Sequence, residues 1–286
     1  MIAVAGTLVA DILAHPVARL PARGGLERVS TIALHSGGAV ANTGVALSRL
    51  GVPVAALARL GQDALGRHLG EEVQGWAAAH FLSFDASAPT SSTLVFVDAD
   101  GERSFLLSSG AGERFCAADL PLERLSAAGV RALHLGYLNL FSQLGTPELL
   151  ELLRGARERG FLVSLDVTWD PRADWDRVRA VLPYADLFCP NLREACALTR
   201  ARAPQEAALR LLELGVRQAV AVTLGAGGCV LATPGEGLKS ARVSRWSPRT
   251  PPGRATPSWP ECWPAGTGGW TGRCALERRA RRRRSR

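Results

Sequence analysis

The sequence has no long apolar run and few cysteines, and these absences narrow the class of protein. No apolar stretch reaches the ~18 consecutive residues of a membrane-spanning helix. The segment after Met1 has no basic stretch ahead of its apolar residues, so we expect no secretory signal peptide. The six cysteines lack the C-x-x-C spacing of metal sites. We therefore expect reduced cysteines and a cytoplasmic protein, with no membrane partner.

Acidic residues are scarce only near the end of the chain. Residues 240–286 hold 12 basic and 2 acidic residues, a net charge of +10. Residues 1–239 hold 22 basic and 24 acidic residues, a net charge of −2. The ending RRARRRRSR could bind nucleic acid by releasing counterions, or it could be a terminus without a function. We expect a disordered basic tail over 240–286 and do not favour nucleic acid as a partner.

Helix-like and strand-like patterns alternate along residues 1–239. VPVAALARL fits a buried strand, DALGRHLGEEVQGWAAA is predicted to be one helix, and TPELLELLRGARERG another. This alternation favours an α/β sandwich of three layers around a mostly parallel central sheet. Residues 12–36 fit no crossover helix, and residues 92–107 are typical of a hairpin. Together these two segments could form strands of a small β lid on the α/β domain.

Several polar or glycine residues follow the first predicted strand. Asp11 comes just past its carboxyl end, where open α/β sheets bind ligands, and its carboxylate could accept two hydroxyl hydrogen bonds. It could equally be a turn or cap residue. Gly37 and Gly38 allow the backbone to approach a ligand closely, or form a plain tight turn. Asn42 is a poor choice inside a helix unless its amide is used.

A second polar pair opens a later helix. Asn191 and Glu194 are three residues apart, so they share one helix face and could hold a hydrated Mg²⁺ beside phosphates. The same pair also fits a capping box without any ligand. Arg103 follows the hairpin turn and could reach over a bound anion or sugar, or be a solvated charge on an exposed strand.

A glycine-rich turn ends one of the last strands. The stretch from Thr223 through Gly225 to Gly228 could present backbone N–H groups to a nucleotide, or simply connect two strands. It does not match G-x-G-x-x-G, and a strand-like segment rather than a helix follows it. The sequence therefore argues against a dinucleotide-binding dehydrogenase.

The order of these signals along residues 2–239 resembles the ribokinase-like, or PfkB, carbohydrate kinases. The motifs that carry the resemblance are Asp11, GGAVAN (37–42), Gly51, GQDALG (61–66), DADGERSF (98–105), the strand end at Asp166, PNLRE (190–194) and VTLGAGG (222–228). The Asn-x-x-Glu motif and the order of the motifs contribute most to it.

This resemblance implies transfer of the γ-phosphoryl group of ATP to a sugar hydroxyl. It implies sugar binding by Asp11, Gly37, Gly38 and Asn42, with Arg103 reaching the substrate from the lid. It also implies that Asn191 and Glu194 organise Mg²⁺ and phosphate, with Glu194 acting on the metal through water. Thr223, Gly225 and Gly228 would border the nucleotide. Some relatives pair through the lid, so a homodimer is an expectation too, whereas the sugar is left open.

The motif that should supply the base of this reaction is missing. In the family, Asp-Thr-x-Gly-Ala-Gly-Asp follows VTLGAGG by about 25 to 30 residues and opens a helix that stabilises the transferred oxygens. This chain has TPPGRAT at 250–256, which places Thr256 at the base position. Six prolines lie in and around this stretch, at positions 248, 251, 252, 257, 260 and 264. Such a segment cannot form a normal helix.

A shift of the reading frame explains this ending. When the codons of residues 249–259 are read one base earlier, they can encode Asp-Thr-Thr-Gly-Ala-Gly-Asp-Ala-Phe-Val. We infer a frameshift between residues 238 and 249, and we expect this polypeptide to be inactive or nearly so, and poorly stable. The alternative is a non-catalytic protein that binds a sugar or nucleotide.

Overall fold

A computed structural model describes residues 1–241 of the chain. The strands are β1 Ile2–Gly6, β2 Val9–His15, β3 Thr31–Gly37, β4 Val54–Gly61, β5 Ala79–Asp85, β6 Ser92–Val97, β7 Arg103–Ser108, β8 Ala132–Gly136, β9 Leu162–Leu165, β10 Leu187–Phe188, β11 Ala219–Thr223, β12 Cys229–Thr233 and β13 Gly237–Ala241. The α-helices are α1 Gly38–Arg49, α2 Ala64–Trp76, α3 Leu122–Ala127, α4 Thr146–Glu158, α5 Trp175–Val181, α6 Leu192–Thr199 and α7 Pro204–Glu213. Short 3₁₀ helices lie at Gly110–Arg114, Ala117–Asp119, Leu138–Leu140, Leu182–Tyr184 and Gly225–Gly227.

The larger sheet has nine strands in the order β13-β12-β11-β10-β9-β8-β1-β4-β5. Neighbouring strands run parallel from β5 through to β11. Only β12 and β13, at one edge, are joined antiparallel. The predicted mostly parallel central sheet is therefore confirmed.

Helices pack on both faces of this sheet because successive side chains of a strand point to opposite sides. On one face, Val40 of α1 and Leu69 of α2 belong to an apolar cluster with Val4 of β1. On the other face, Ala3 and Ala5 of β1 join a larger cluster that includes residues of α3 to α7. The three-layer α/β architecture is thus also confirmed.

The second sheet has four strands in the order β3-β2-β6-β7. Strand β2 starts three residues after the end of β1, so the second sheet begins beside the carboxyl edge of the first. Its central pairing, β2 with β6, is parallel, and the two outer pairings are antiparallel. These strands lie in the two segments for which the sequence predicts lid strands.

One predicted helix is too long. The prediction runs over residues 63–79, but α2 ends at Trp76 and residues 79–85 form β5, which pairs in parallel with β4. Asp63 is the N-cap of α2, with its carboxylate accepting a hydrogen bond from the N–H of Gly66 at 2.8 Å. The helix start is therefore set locally, whereas its end depends on the pairing with β4.

Helices α3 and α5 have no counterpart in the sequence predictions. They span six and seven residues, too few for a clear apolar period.

Within residues 1–241, none of the helices combines the length and apolarity needed to cross a membrane.

Candidate active site

The carboxyl ends of β8, β1 and β9 to β11 lie side by side along one edge of the larger sheet. Open α/β sheets bind their ligands at this edge. The residues singled out in the sequence follow these strand ends or lie on the elements connected to them.

Asp11 lies on β2, between His35 of β3 and Thr93 of β6 in the register of the second sheet. Burial raises the pKa of its carboxyl above the usual 3.8, against a hydrogen bond from Thr93 and the charges of His35 and Arg103. Arg103, at the start of β7, is therefore close enough for its charge to act on this carboxylate. A half-buried carboxylate among donors is suited to accept hydrogen bonds from ligand hydroxyls.

Glycine is needed at both positions before the second residue of α1, Gly37 and Gly38, for separate structural reasons. A Cβ atom at Gly37 would overlap the carboxylate of Asp11. Gly38 has a φ of +79°, and a Cβ there would lie 2.5 Å from the carbonyl oxygen of Thr7. That carbonyl accepts a hydrogen bond from the N–H of Val40 at 3.1 Å. The glycine pair thus brings the start of α1 against both Asp11 and the end of β1.

Asn42 is exposed, and a side-chain hydrogen bond joins it to Tyr137, directly after β8. Tyr137 has a φ of +57°, in the left-handed region that side chains other than glycine rarely adopt. Its pKa is raised to about 12 by burial and by the carboxylates of Asp166, Glu194 and Asp11. The phenol therefore lies between the residues around Asp11 and those around Glu194.

Asn191 and Glu194 form a capping box at the start of α6. The Glu194 carboxylate accepts hydrogen bonds from the backbone N–H of Asn191 at 2.8 Å and from its side-chain amide at 2.6 Å, and the N–H of Trp169 donates another. The amide oxygen of Asn191 accepts from the N–H of Glu194 at 3.0 Å. The capping arrangement foreseen in the sequence is present, and it orients both side chains.

Two carboxyls face each other at this edge. Asp166 follows β9, and burial together with the charge of Glu194 raises its pKa to about 8. Burial likewise raises the pKa of Glu194 to about 7, against its hydrogen bonds from Asn191 and Trp169. Glu194 is 4% exposed. Two neighbouring carboxyls that resist ionisation would be relieved by a cation.

Thr223 ends β11 beside this pair. Its N–H donates to the carbonyl of Pro190 at 2.9 Å, and it forms a parallel bridge with Asn191. Gly225 and Gly228 have φ angles of +56° and +95°, so the 3₁₀ turn between them needs glycine. Gly225 is exposed. The turn joins β11 to the antiparallel β12, and so it is also the simple connection that the sequence allowed.

A family model described as pfkB family carbohydrate kinase matches residues 1–248. The chain belongs to this family. Among curated relatives, it is 29% identical over 202 residues to Fructokinase-1 of Oryza sativa subsp. japonica, a match that covers 68% of this chain and 62% of the relative. It is 31% identical over 206 residues to the aminoimidazole riboside kinase of Salmonella typhimurium, covering 69% and 63%. The match thus spans less than two thirds of these relatives' length.

Solved structures show the same ribokinase-like fold. The ribokinase of Arabidopsis thaliana, complexed with ribose and ATP, aligns with a TM-score of 0.68 and 24% identity, covering 85% of this chain and 77% of that one. The fructokinase of Xylella fastidiosa aligns with a TM-score of 0.69 and 24% identity, covering 84% and 77%.

In this pfkB-family chain, the structure groups most of the residues predicted for the site. Asn42 forms a hydrogen bond with Tyr137, and the charges of Asp11 and Glu194 act on the same phenol. Thr223 forms a backbone bridge with Asn191. Thr256, the predicted base position, and the rest of the predicted basic tail beyond residue 241 lie outside the described residues.

Sequence reasoning missed two residues of the group. The sequence marks Asp166 only as a strand end. The prediction that Asp11 directly follows the first strand is wrong, because β1 ends at Gly6 and Asp11 lies within β2. Tyr137 follows a strand too, but nothing in the stretch HLGYL indicates a left-handed backbone.

Proposed function

We propose that the chain is an ATP-dependent sugar kinase by descent, which binds a sugar and ATP but lacks the base that makes transfer efficient. The observation that carries the proposal is the group of polar residues around Tyr137 at the carboxyl edge of the larger sheet, where Asn42 bonds to the phenol and the charges of Asp11, Asp166 and Glu194 act on it. Its two ends differ chemically, one suited to hydroxyls and the other to a cation and phosphates.

At the sugar end, Asp11 would accept hydrogen bonds from two acceptor hydroxyls, and the Asn42 amide would bind a third. Gly37 and Gly38 would leave room for the sugar ring against the backbone. Arg103 would approach from the second sheet, which acts as the lid in this proposal. Because lids exclude water, the transferred group would reach the sugar rather than solvent.

At the phosphate end, the residues fit a hydrated Mg²⁺. Asp166 and Glu194 would supply hard oxygen atoms, and a bound cation would offset the burial that raises the pKa of both carboxyls. Glu194 would act on the ion through water, because its carboxylate already accepts hydrogen bonds from Asn191. Bound Mg²⁺ would neutralise negative charge on the transferring phosphoryl group. Thr223, Gly225 and Gly228 would border the nucleotide. We also propose a cytoplasmic location, because the phosphoryl donor would be ATP.

Transfer requires that the sugar oxygen bond to the γ-phosphorus while the bond to ADP breaks and the hydroxyl proton leaves. A carboxylate would take that proton. Thr256 is not a carboxylate, so we propose that the chain as written turns over poorly or not at all. The frame-shifted sequence, with its Asp-Thr-Thr-Gly-Ala-Gly-Asp, would restore the base.

Titration calorimetry with ATP and Mg²⁺, ribose and fructose, beside an assay of ADP release, tests this function. We expect binding of ATP and of one sugar, with little turnover. Asp11→Asn should weaken the sugar at least tenfold and leave ATP unchanged. Asp174→Asn, which changes the exposed cap of α5, is the control. Absence of all binding, or turnover at ordinary kinase rates, contradicts the proposal. Binding without turnover even after frame correction would favour a non-catalytic binding protein.

The second sheet also supports a homodimer as a proposal. The face opposite to Asp11 is apolar and open, with Ile32 70% exposed, Leu94 41% and Leu106 60%. A second copy could cover it. Leu106→Glu should convert a dimer to a monomer in light scattering, whereas Leu107→Glu, on the other face of the same strand, should not. A monomeric wild-type chain contradicts the dimer.

A further inference from the structure

Tyr137 has a costly backbone conformation that its surroundings enforce. The end of strand β8 packs closely against its neighbours, because a Cβ at Gly136 would overlap Ala39 of α1, and a Cβ at Gly6 would lie 2.5 Å from the carbonyl oxygen of Gly136. The chain turns directly after this close contact, at Tyr137. A non-glycine residue in the left-handed region persists only where neighbouring contacts fix it, and such residues cluster at functional sites.

The turn after Tyr137 is held from both sides. Its carbonyl accepts a hydrogen bond from the N–H of Leu140 at 2.9 Å, and the N–H of Leu138 donates to the carbonyl of Asp166 at 3.2 Å. The side chain of Asn139 makes two bonds to the backbone of Thr168, at 3.0 and 2.9 Å. The position of the tyrosine ring is therefore set by the ends of both β8 and β9.

The phenol is placed between the two ends of the site. A side-chain hydrogen bond with Asn42 opposes the rise in the pKa of the phenol. A phenol has one donor and more than one acceptor position, so its hydroxyl can make a further hydrogen bond. Asp11, Asp166 and Glu194 all act on this hydroxyl through their charges, so it faces the space that they enclose.

We propose that Tyr137 is a specificity-determining residue, whose hydroxyl donates a hydrogen bond to the acceptor sugar and whose ring limits the acceptor to a compact sugar. The hydroxyl binds a sugar oxygen while it holds Asn42 in position. The ring fills the space that a larger substituent, such as the base of a nucleoside, would need. This inference rests on the proposed function, because it concerns the acceptor of the same site.

Two substitutions separate the hydroxyl from the ring. Tyr137→Phe keeps the ring and should weaken the sugar bound by the wild type about tenfold, the equivalent of one hydrogen bond, with unchanged affinity for ATP. Tyr137→Gly removes the ring and suits the positive φ, which offsets part of the cost of losing a buried side chain. It should gain binding of adenosine relative to the sugar.

Calorimetry with ribose, fructose, adenosine and ATP measures these affinities. Tyr184→Phe is the matched control, because it removes the chain's other phenol, whose hydroxyl lies 3.5 Å from Arg154 on the far side of β10. The control should leave sugar binding unchanged. Two results together would overturn the role of Tyr137 and leave the proposed function standing. Tyr137→Phe would bind the sugar as tightly as the wild type, and Tyr137→Gly would gain no binding of adenosine. A wild-type chain that binds neither sugar nor ATP overturns the proposed function and this role with it.

Discussion

The two halves of the larger sheet differ in how their faces are covered. Strands β1 and β4 are buried on both sides, between helices α1 and α2 on one face and the larger apolar cluster on the other. In β9, β11 and β12, by contrast, buried and half-buried residues alternate. The half-buried positions of these three strands are Leu162, Ser164, Ala219, Ala221, Thr223, Cys229, Leu231 and Thr233.

This difference shows which part of the larger sheet is not fully covered on one face by residues 1–241. Parallel strands inside a three-layer sandwich are normally apolar and buried on both faces. Within the described part of the chain, the apolar cluster of α1 and α2 reaches β1 and β4 but includes no residue of β8 to β12. The half that carries Asp166, Glu194 and Thr223 is therefore the less supported half, and it is the half next to the segment beyond β13 for which we infer a frameshift.

The largest expected effect comes from correcting the reading frame. A chain with the one-base correction should gain 10²–10⁴-fold in turnover, because a general base returns. Its melting temperature should also rise, because the restored helix can add apolar surface to the half-covered face. ADP release and calorimetric melting measure the two effects.

The control for this experiment is the corrected chain with the last aspartate of Asp-Thr-Thr-Gly-Ala-Gly-Asp replaced by asparagine. It should keep the higher melting temperature and lose the turnover. A corrected chain that melts no higher than the original would contradict the link between the half-covered face and the altered sequence.

A pair of core truncations tests the two halves directly. Leu60→Ala in β4 removes a fully buried side chain from the cluster of α1 and α2, and should cost about 3 kcal/mol in the free energy of unfolding. Leu231→Ala in β12 is the same change on the half-buried side, and should cost about 1 kcal/mol. Urea unfolding gives both values, and equal costs would contradict the comparison.

Substitutions at two helix N-caps, Asp63 and Asp174, compare the stability of the two halves. The Asp63 carboxylate accepts hydrogen bonds from the N–H of Gly66 at 2.8 Å and from the N–H and hydroxyl of Thr90 at 2.7 and 2.6 Å. Asp63→Ala should cost about 2 kcal/mol, because it removes a cap and leaves the buried Thr90 without its partner. Asp174→Ala, at the exposed cap of α5, should cost about 1 kcal/mol.

The pH dependence of the Asp63 contribution has a definite sign. Burial of this carboxyl opposes ionisation, but the bonds from Thr90 and Gly66 outweigh it and hold its pKa below 3.8. The stabilisation is therefore complete above its unfolded pKa and is lost as the pH falls through the lower folded value. Denaturation at pH 6 and pH 3 should show a smaller cost of Asp63→Ala in acid, and an equal cost at both would speak against an ionised cap.

The smallest expected effect concerns the carboxyls of the less covered half. Asp166 and Glu194 have folded pKa values of about 8 and about 7, above their unfolded values. Their contribution to stability is therefore complete below pH ~4 and lost as the pH rises through 7 to 8. The melting temperature should therefore fall by several degrees between pH 6 and pH 9. Added Mg²⁺ should raise the melting temperature more at pH 9 than at pH 6. Glu194→Gln should make the melting temperature depend less on pH.

Some of the site could be predicted because its signals are local. Asp63 and the Asn191–Glu194 pair mark the starts of helices through their own backbone hydrogen bonds, so pattern and position agree. Strand β5 was missed because HFLSF follows α2 with too short a break, and only its pairing with β4 makes it a strand.

The sequence by itself determined the family and most of the order of strands and helices along the chain, because these depend on apolar period and on motifs of neighbouring residues. Only the tertiary structure decided that the charge of Glu194 acts on Asp166 and that Tyr137 bonds to Asn42. The physical reason is that contacts between separate elements and backbone strain arise from packing between distant segments. Gly6, Gly136 and Ala39 are far apart in the chain, yet they pack closely just ahead of the turn at Tyr137.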